Sequence, residues 1–263
     1  MPNSIRVLAI GDVVGKAGRN AILENIDKLK EKYNADLLIV NVENTSHGDG
    51  LLYKHYLQYR NTKIDVMTMG NHTFGKKEIY DYIDKTDNLL IPANFTDLDV
   101  KFDSHKEYSF KFKDKTIKVV NILGDHAMNF PNKESCFTYF DKIYDDNYVY
   151  IIDFHSEITA EKNVFGYYFD GKASLIFGTH THVQTADERI LPKGCAYISD
   201  VGMCGSKDSV IGYDYISYVE RMKNGTPTTV STRRPMMING VLVEINLDTK
   251  KAISICRINE IVE

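Results

Sequence analysis

Short apolar runs of this chain end, one after another, in side chains that bind metal ions. The runs lie at residues 5–10, 36–42, 64–69, 148–154 and 173–177. They end, in the same order, at Gly11-Asp12, Glu43-Asn44, Gly70-Asn71-His72, His155 and Thr179-His180-Thr181-His182. Aliphatic and β-branched runs of this length predict buried strands. Because ligands of open α/β sheets gather beyond the carboxyl ends of the strands, the pattern predicts one shared site.

Helical patterns alternate with the early strands, and hairpins follow later. Helices are predicted at about residues 18–33, 51–60, 76–84 and from near Ile158 onward. Alternating residues predict a hairpin of 107–112 with 116–123, and further strands at 197–199, 241–245 and 252–258. This order favours a layered α/β fold with mixed sheets. No repeat or Pro/Gly/Ser-rich linker interrupts it, so residues 1–263 are predicted to form a single domain.

Charge and cysteine usage exclude several classes of protein. The formal net charge of −4 and the pI near 6.1 argue against broad electrostatic binding of nucleic acid, which normally needs a basic excess. No apolar run approaches the ~20 residues that cross a bilayer, and the N-terminus does not resemble a signal segment. The four cysteines show no CxxC spacing. A cytoplasmic protein without a DNA or membrane partner is the expectation.

The ligand types at the strand ends favour a two-metal hydrolase site. Carboxylates bridge two cations, and carboxamides and imidazoles complete an O/N set that lacks cysteine. Such a set favours iron, manganese or zinc over calcium or a thiolate-bound zinc. Taken singly, Asp12, Asn44 and Asn71 fit turn or capping positions. Gly11 to Lys16 is not a phosphate-binding P-loop, because neither the glycine spacing nor the residue after the lysine fits.

The remaining histidines lack a comparable context. His55 lies in a helical pattern and His105 in a polar segment, so both are predicted at the surface, as is His126. His47, four residues after Glu43, is a candidate to touch substrate. Asp153 and Glu157 flank His155 and are candidates to orient an imidazole without binding metal.

At these residues the chain resembles the calcineurin-like metallophosphoesterases and, within them, the YmdB-like branch. The resemblance spans nearly the whole chain. It rests on residues 10–16, Glu43-Asn44, 70–73, 153–155, 178–192 and 200–203. It implies a four-layer α/β/β/α sandwich with two mixed β-sheets. Glu43 stands where the wider superfamily has a bridging Asp, and Val14 stands where that superfamily has a histidine.

The resemblance also implies which residues hold two metal ions. One ion would be bound by Asp12, Glu43, Asn44 and His182, and the other by Glu43, Asn71, His155 and His180. His72 would stay free of metal and act as general acid. The implied activity is hydrolysis of a cyclic nucleotide, most specifically a 2′,3′-cyclic nucleotide at its 2′ bond, by a water that the ions activate.

Two other functions stay open at this stage. A phosphomonoesterase, for example one acting on phosphoproteins, would use the same ions. A regulatory or RNA-associated binding protein would use the metals only to sense a ligand, although the acidic charge disfavours bulk RNA binding. The sequence fixes neither the identity of the metal nor whether the chain forms a homo-oligomer.

Overall fold

The computed structural model describes residues 3–128, 130 and 132–263 and contains two packed β-sheets. In chain order, the strands are β1 Ser4–Ile10, β2 Asp12–Val13, β3 Leu37–Asn41, β4 Val66–Thr68, β5 Leu89–Leu90, β6 Glu107–Phe112, β7 Lys115–Leu123, β8 Tyr148–His155, β9 Leu175–Thr179, β10 Arg189–Ile190, β11 Ala196–Ile198, β12 Met203–Ser206, β13 Met236–Asn246 and β14 Ala252–Val262. The α-helices are α1 Gly15–Lys32, α2 Tyr53–Arg60, α3 Ile79–Tyr82, α4 Cys136–Ile143, α5 Thr159–Tyr168 and α6 Tyr215–Asn224. Two 3₁₀ segments lie at Ile83–Lys85 and Val100–His105.

Both sheets are mixed, as the resemblance implies. The first sheet runs in the order β2-β12-β13-β1-β3-β4-β5, with β14 also paired to β13. In it, β1, β3, β4 and β5 are parallel neighbours, while β13 is antiparallel to β1. The second sheet runs in the order β10-β11-β9-β8-β7-β6, and its strands from β7 through β8 and β9 to β11 are parallel. Parallel strands point their carboxyl ends to the same edge, which places the predicted site residues there.

Three apolar clusters separate the layers. Between the sheets, residues such as Val7 and Ile39 pack with Val119 and Ile151. On the outer face of the first sheet, α1 and α2 bury side chains such as Ile22 and Tyr56, which belong to a second cluster. On the outer face of the second sheet, α4 and α5 bury aromatic side chains such as Phe140 and Phe165. The layers therefore follow the order α/β/β/α, and the predicted fold class is confirmed.

Most predicted strands agree with the observed ones to within two residues at each end, but β13 begins five residues before the predicted strand at 241–245 and β14 ends four residues after the one at 252–258. Short elements were not predicted, among them β2, β5, β10, β12, α4 and α6. The predicted helix at 76–84 is a four-residue α3 followed by a 3₁₀ turn. Among helices in the described part of the chain, none has the length and apolar character that crossing a membrane requires.

Candidate metal centre

The predicted ligands from both sheets meet at one edge of the molecule. The first sheet contributes Asp12 in β2, residues just after β3, and Asn71 three residues beyond β4. The second sheet contributes His155 as the last residue of β8, and the loop after β9 contributes His180 and His182. Two groups of contacts form, and Glu43 belongs to both.

In the first group, three acceptor atoms surround one ring nitrogen. Nε2 of His155 lies 3.0 Å from Glu43 Oε1, 2.9 Å from Asn71 Oδ1 and 3.1 Å from His180 Nδ1. Donor atoms of Glu43, His155 and His180 lie within 4.8 Å of one another. A single N–H at this nitrogen satisfies only one of three acceptors. A cation would satisfy all of them together with the ring nitrogen, so these side chains fit a metal ion.

The second group surrounds the amide nitrogen of Asn44 in the same way. Nδ2 of Asn44 lies 3.3 Å from Asp12 Oδ1, 3.3 Å from Glu43 Oε1 and 3.1 Å from His182 Nε2. The amide has two hydrogens for three acceptors. Rotating the amide by half a turn presents its oxygen instead, which converts the group into a set of metal ligands. This donor set, with two carboxylates and neutral oxygen and nitrogen atoms, also fits a cation.

Hydrogen bonds at Nδ1 of His155 and His182 fix the ring tautomers that metal binding needs. Thr179 Oγ1 donates to Asp153 Oδ1 at 2.6 Å, so this hydroxyl accepts from Nδ1 of His155 at 2.8 Å. Nδ1 of His182 donates to the carbonyl of Ile211 at 2.9 Å. In both rings Nε2 therefore faces the ligand cluster. The expectation that Asp153 orients an imidazole agrees with this geometry, with Thr179 as the link.

Burial and mutual contact shift the pKa values of the candidate ligands. Asp12, Glu43 and His155 are fully buried. Burial raises the pKa of the Asp12 carboxyl. Burial acts to raise the pKa of Glu43 too, but the adjacent His155 imidazole lowers it to about 2. Burial acts to lower the pKa of His155, whereas the Glu43 carboxylate raises it to about 9. Without a metal, a proton on His155 thus compensates the buried carboxylate, and a cation would displace that proton.

The backbone is shaped to let these groups approach. A Cβ on Gly70 would lie 2.4 Å from Glu43 Oε2 and 2.5 Å from His155 Nε2, so only glycine fits at the start of Gly70-Asn71-His72. His180 and His182 have φ values of 106° and 65°, in a region that side chains with a Cβ rarely adopt. Such strained backbone occurs where the surrounding structure imposes it, commonly at functional sites.

His72 lies beside the ligands but makes different contacts. Its backbone N–H donates to Glu43 Oε2 at 3.0 Å, while its ring Nδ1 lies 2.9 Å from Asp49 Oδ1. The ring is partly exposed and faces a cavity of about 260 Å³. The cavity is lined by Glu43, Asn44, His72, Glu157, His180, Thr181, His182, Ile211 and Tyr213. The ring is thus available to a ligand in the cavity.

Several residues of the site escaped sequence reasoning. Asp49, Ile211 and Tyr213 lie in irregular segments, where no periodic pattern marks them. Glu157, a candidate to orient an imidazole beside His155, instead contacts the ring of His180, with its Oε2 2.9 Å from Nε2 of that histidine. Lys162 lies at helical spacing from Phe165 on the buried face of α5, and a lysine in an apolar stripe was a usable signal of a buried ion pair.

Two histidine predictions were wrong. His55 is 6% exposed and its Nδ1 lies 2.9 Å from Ser46 Oγ, because α2 turns this residue towards the loop after β3. His105 is 4% exposed and its Nδ1 lies 2.9 Å from the carbonyl of Leu89. His126 is exposed, as predicted. His47 is exposed and does not belong to the residues that line the cavity.

The two-sheet sandwich and the cluster of carboxylates, carboxamides and imidazoles at its edge define the class of the metallophosphoesterases. Within that class, the sequence profile of the YmdB-like protein family matches residues 8–258. The chain belongs to this family, which confirms the resemblance inferred from its motifs.

Relatives and solved structures agree with this membership. A Bacillus subtilis (strain 168) protein named 2′,3′-cyclic-nucleotide 2′-phosphodiesterase is 42% identical over 261 residues, covering 97% of this chain and 96% of that protein. The crystal structure of a Mycoplasma pneumoniae protein described as a novel phosphatase gives a TM-score of 0.92 at 40% identity, covering 99% and 95% of the two chains. NAD nucleotidase from Haemophilus influenzae gives a TM-score of 0.58 at 12% identity, covering 98% and 50%, and shows a shared fold alone.

Proposed function

We propose that this chain is a two-metal phosphodiesterase that hydrolyses 2′,3′-cyclic nucleotides at the 2′ bond and releases 3′-nucleotides. The observation that carries the proposal is the position of Glu43, which is fully buried and contacts both groups of candidate ligands. A carboxylate shared by two ligand groups is the arrangement that a pair of neighbouring cations requires. The name of the Bacillus subtilis relative supports the choice of substrate.

In this proposal, one ion is held by Asp12, Glu43, Asn44 and His182. The other is held by Glu43, Asn71, His155 and His180. Iron or manganese is the proposed metal, with zinc as the next choice, because the ligands are carboxylate, amide and imidazole groups. When bound, the ions supply an activated water at neutral pH and neutralise charge on the phosphoryl oxygens.

His72 is proposed to give a proton to the leaving 2′ oxygen. Asp49 holds Nδ1 of the ring, which leaves Nε2 available to the cavity side. The Glu43 carboxylate accepts the backbone N–H of His72, so the proton donor is tied directly to the bridging residue. In this reaction the P–O2′ bond breaks, water supplies the new P–O bond, and the 2′ oxygen takes the proton of His72.

A substrate panel tests the proposal. Protein loaded with manganese or iron would be incubated with 2′,3′-cyclic AMP, 3′,5′-cyclic AMP and bis-p-nitrophenyl phosphate, and the products would be separated by chromatography. We expect turnover of 2′,3′-cyclic AMP with 3′-AMP as the main product. Formation of 2′-AMP would contradict the proposed bond, and absence of turnover of every diester would end the assignment.

A second candidate is a phosphomonoesterase. It is favoured by the description of the Mycoplasma pneumoniae protein as a phosphatase. Adding 3′-AMP and p-nitrophenyl phosphate to the same panel separates the two, because a monoesterase would release inorganic phosphate from both. The proposed setting is the cytoplasm, in keeping with four cysteines that are all free thiols, three of them buried.

A further inference from the structure

A carboxylate forms part of the wall where substrate would enter. Glu157 follows β8 by two residues, and its side chain is 52% exposed within the lining of the cavity. Its Oε2 lies 2.9 Å from Nε2 of His180. Because Nδ1 of His180 faces the ligand cluster, Nε2 carries the hydrogen and donates it to Glu157. This bond fixes a negative charge beside the cavity.

No lysine or arginine side chain offsets that charge within the lining. Among the residues that the structure describes, those lining the cavity include two glutamates and no lysine or arginine. Lys162 lies nearby under the loop after β9, but it is 2% exposed and its Nζ lies 2.7 Å from Asp200 Oδ2. Sites that recognise doubly charged phosphate groups commonly use arginine or lysine to balance the charge.

The charge of the ligand decides how strongly Glu157 acts on it. A phosphodiester carries one negative charge, whereas a phosphomonoester, with a second pKa near ~6, carries close to two at pH 8. Repulsion by a fixed carboxylate scales with ligand charge, so it penalises the monoester about twice as strongly. The same reasoning applies to the reaction product, which is a monoester.

We propose that Glu157 is a specificity-determining residue that makes this site favour singly charged phosphodiesters over doubly charged phosphomonoesters. It thereby also promotes release of the monoester product. This inference rests on the proposed function for its substrates. It explains how a metal centre shared with phosphatases would select diesters without an arginine or lysine clamp.

The test compares Glu157→Gln with the wild type, both loaded with manganese at pH 8. Glutamine keeps an oxygen that accepts the His180 hydrogen bond and removes only the charge. Calorimetry would give the affinity for 3′-AMP and for dimethyl phosphate, and kinetics would give kcat/KM for 2′,3′-cyclic AMP and p-nitrophenyl phosphate. Glu24→Gln, on the exposed side of α1, is the control for the same change in net charge.

We expect Glu157→Gln to bind 3′-AMP about tenfold more tightly and dimethyl phosphate only about threefold more tightly, as one charge a few ångströms away would produce. The kcat/KM preference for diester over monoester should fall severalfold, with metal content unchanged. Glu24→Gln should match the wild type.

Equal changes for both ligands, or a parallel loss of all activities together with metal, would overturn the proposal, since either result shows a merely structural role. If the wild type hydrolysed no diester, the proposed function would fail. The calorimetric comparison would still decide the role of Glu157.

Discussion

At the residue scale, His155 shows how costly the burial of charged groups is in this site. Its ring lies between the Glu43 carboxylate on one nitrogen and Thr179 on the other, with no exposed surface. Burying a charged pair is costly unless every donor and acceptor is satisfied. Here the excess of acceptors leaves the pair incompletely satisfied until a cation enters. Metal binding is therefore expected to be tight and to release a proton.

The roles of Glu43 and His72 are separable by substitution. His72→Ala should retain both metals by elemental analysis and lose about 10²- to 10⁴-fold in kcat, the usual contribution of general acid catalysis. Glu43→Ala should lose metal from both positions, because it removes the carboxylate that is proposed to bind both ions. Loss of metal in His72→Ala would make His72 a ligand, and full occupancy in Glu43→Ala would refute bridging.

His55 predicts a pH dependence of stability. Burial is the main cause that lowers the pKa of this histidine to about 4, with Arg19 and Lys54 adding to it, whereas the unfolded value is near ~6.5. Between these values the unfolded chain binds more protons, so the free energy of unfolding falls as pH drops through this window. From pH 7 to 5 the loss from His55 should be on the order of 1 to 2 kcal/mol.

Urea unfolding of chelator-treated protein at both pH values measures this effect. His55→Gln, which stays neutral, should lose correspondingly less stability than the wild type between pH 7 and 5. The same pH dependence in both proteins would contradict the assignment of a buried neutral His55.

Residue types could be predicted from the sequence where a strand ended in them, as at Asp12, Asn71 and His155. Asp49 and the contact of Glu157 with His180 could not, because loop residues follow no period and their partners are distant in the chain. His72 and Asp49, for example, are 23 residues apart and meet only because the loop after β3 folds towards the loop after β4.

At the scale of elements, α5 acts as a support for the loop that carries His180 and His182. Lys162 in α5 donates to the carbonyl of Thr179 at 3.0 Å and to Asp200 Oδ2 at 2.7 Å. The same Asp200 oxygen accepts the backbone N–H of Thr181 at 3.0 Å. One buried ion pair thus joins the helix to both ends of the Thr179 to Thr181 segment.

Lys162→Met should therefore destabilise the protein by about 3 kcal/mol, because it leaves Asp200 as a buried charge without its cation. Lys142→Met is the matched control, since the side chain of Lys142 is 68% exposed in a pair 3.5 Å long and should contribute less than about 0.5 kcal/mol. Chemical denaturation of both variants measures the difference. Equal free energies of unfolding for Lys162→Met and Lys142→Met would show that the Lys162–Asp200 ion pair does not support the fold.

Strands were easier to predict than short helices for a physical reason. A strand buried between two layers, such as β3, is a continuous apolar run whose burial is visible in composition alone. Helix α6 has no buried residue, and α3 spans a single turn, so neither offers the repeated apolar face on which helix prediction depends.

At the scale of the whole molecule, the candidate ligands connect the two sheets. Asp12, Glu43, Asn44 and Asn71 belong to the first sheet and its loops, and His155, His180 and His182 to the second. Ions bound between them would hold both layers together in the folded state only. Metal loading should therefore stabilise the entire fold.

Removing the metals should lower Tm by roughly 10 °C, because a ligand at a thousand times its Kd contributes about 4 kcal/mol. Calorimetric scans before and after chelation measure the shift. Glu43→Ala, as a variant that binds little metal, should show almost no shift, whereas His72→Ala should respond as the wild type does. If chelation left the Tm of the wild type unchanged, this result would contradict metal binding between the two sheets.

The apolar layer between the sheets has one more consequence. Side chains such as Val119 and Ile151 set how far apart the two sheets lie, and protein interiors are packed too tightly to absorb a missing methyl group without adjustment. The distance between the candidate ligands of the two sheets is thus governed by the volume of buried residues that do not contact a nucleotide. Kinetic comparison of Ile151→Val with the wild type would measure how strongly turnover depends on the spacing of the sheets.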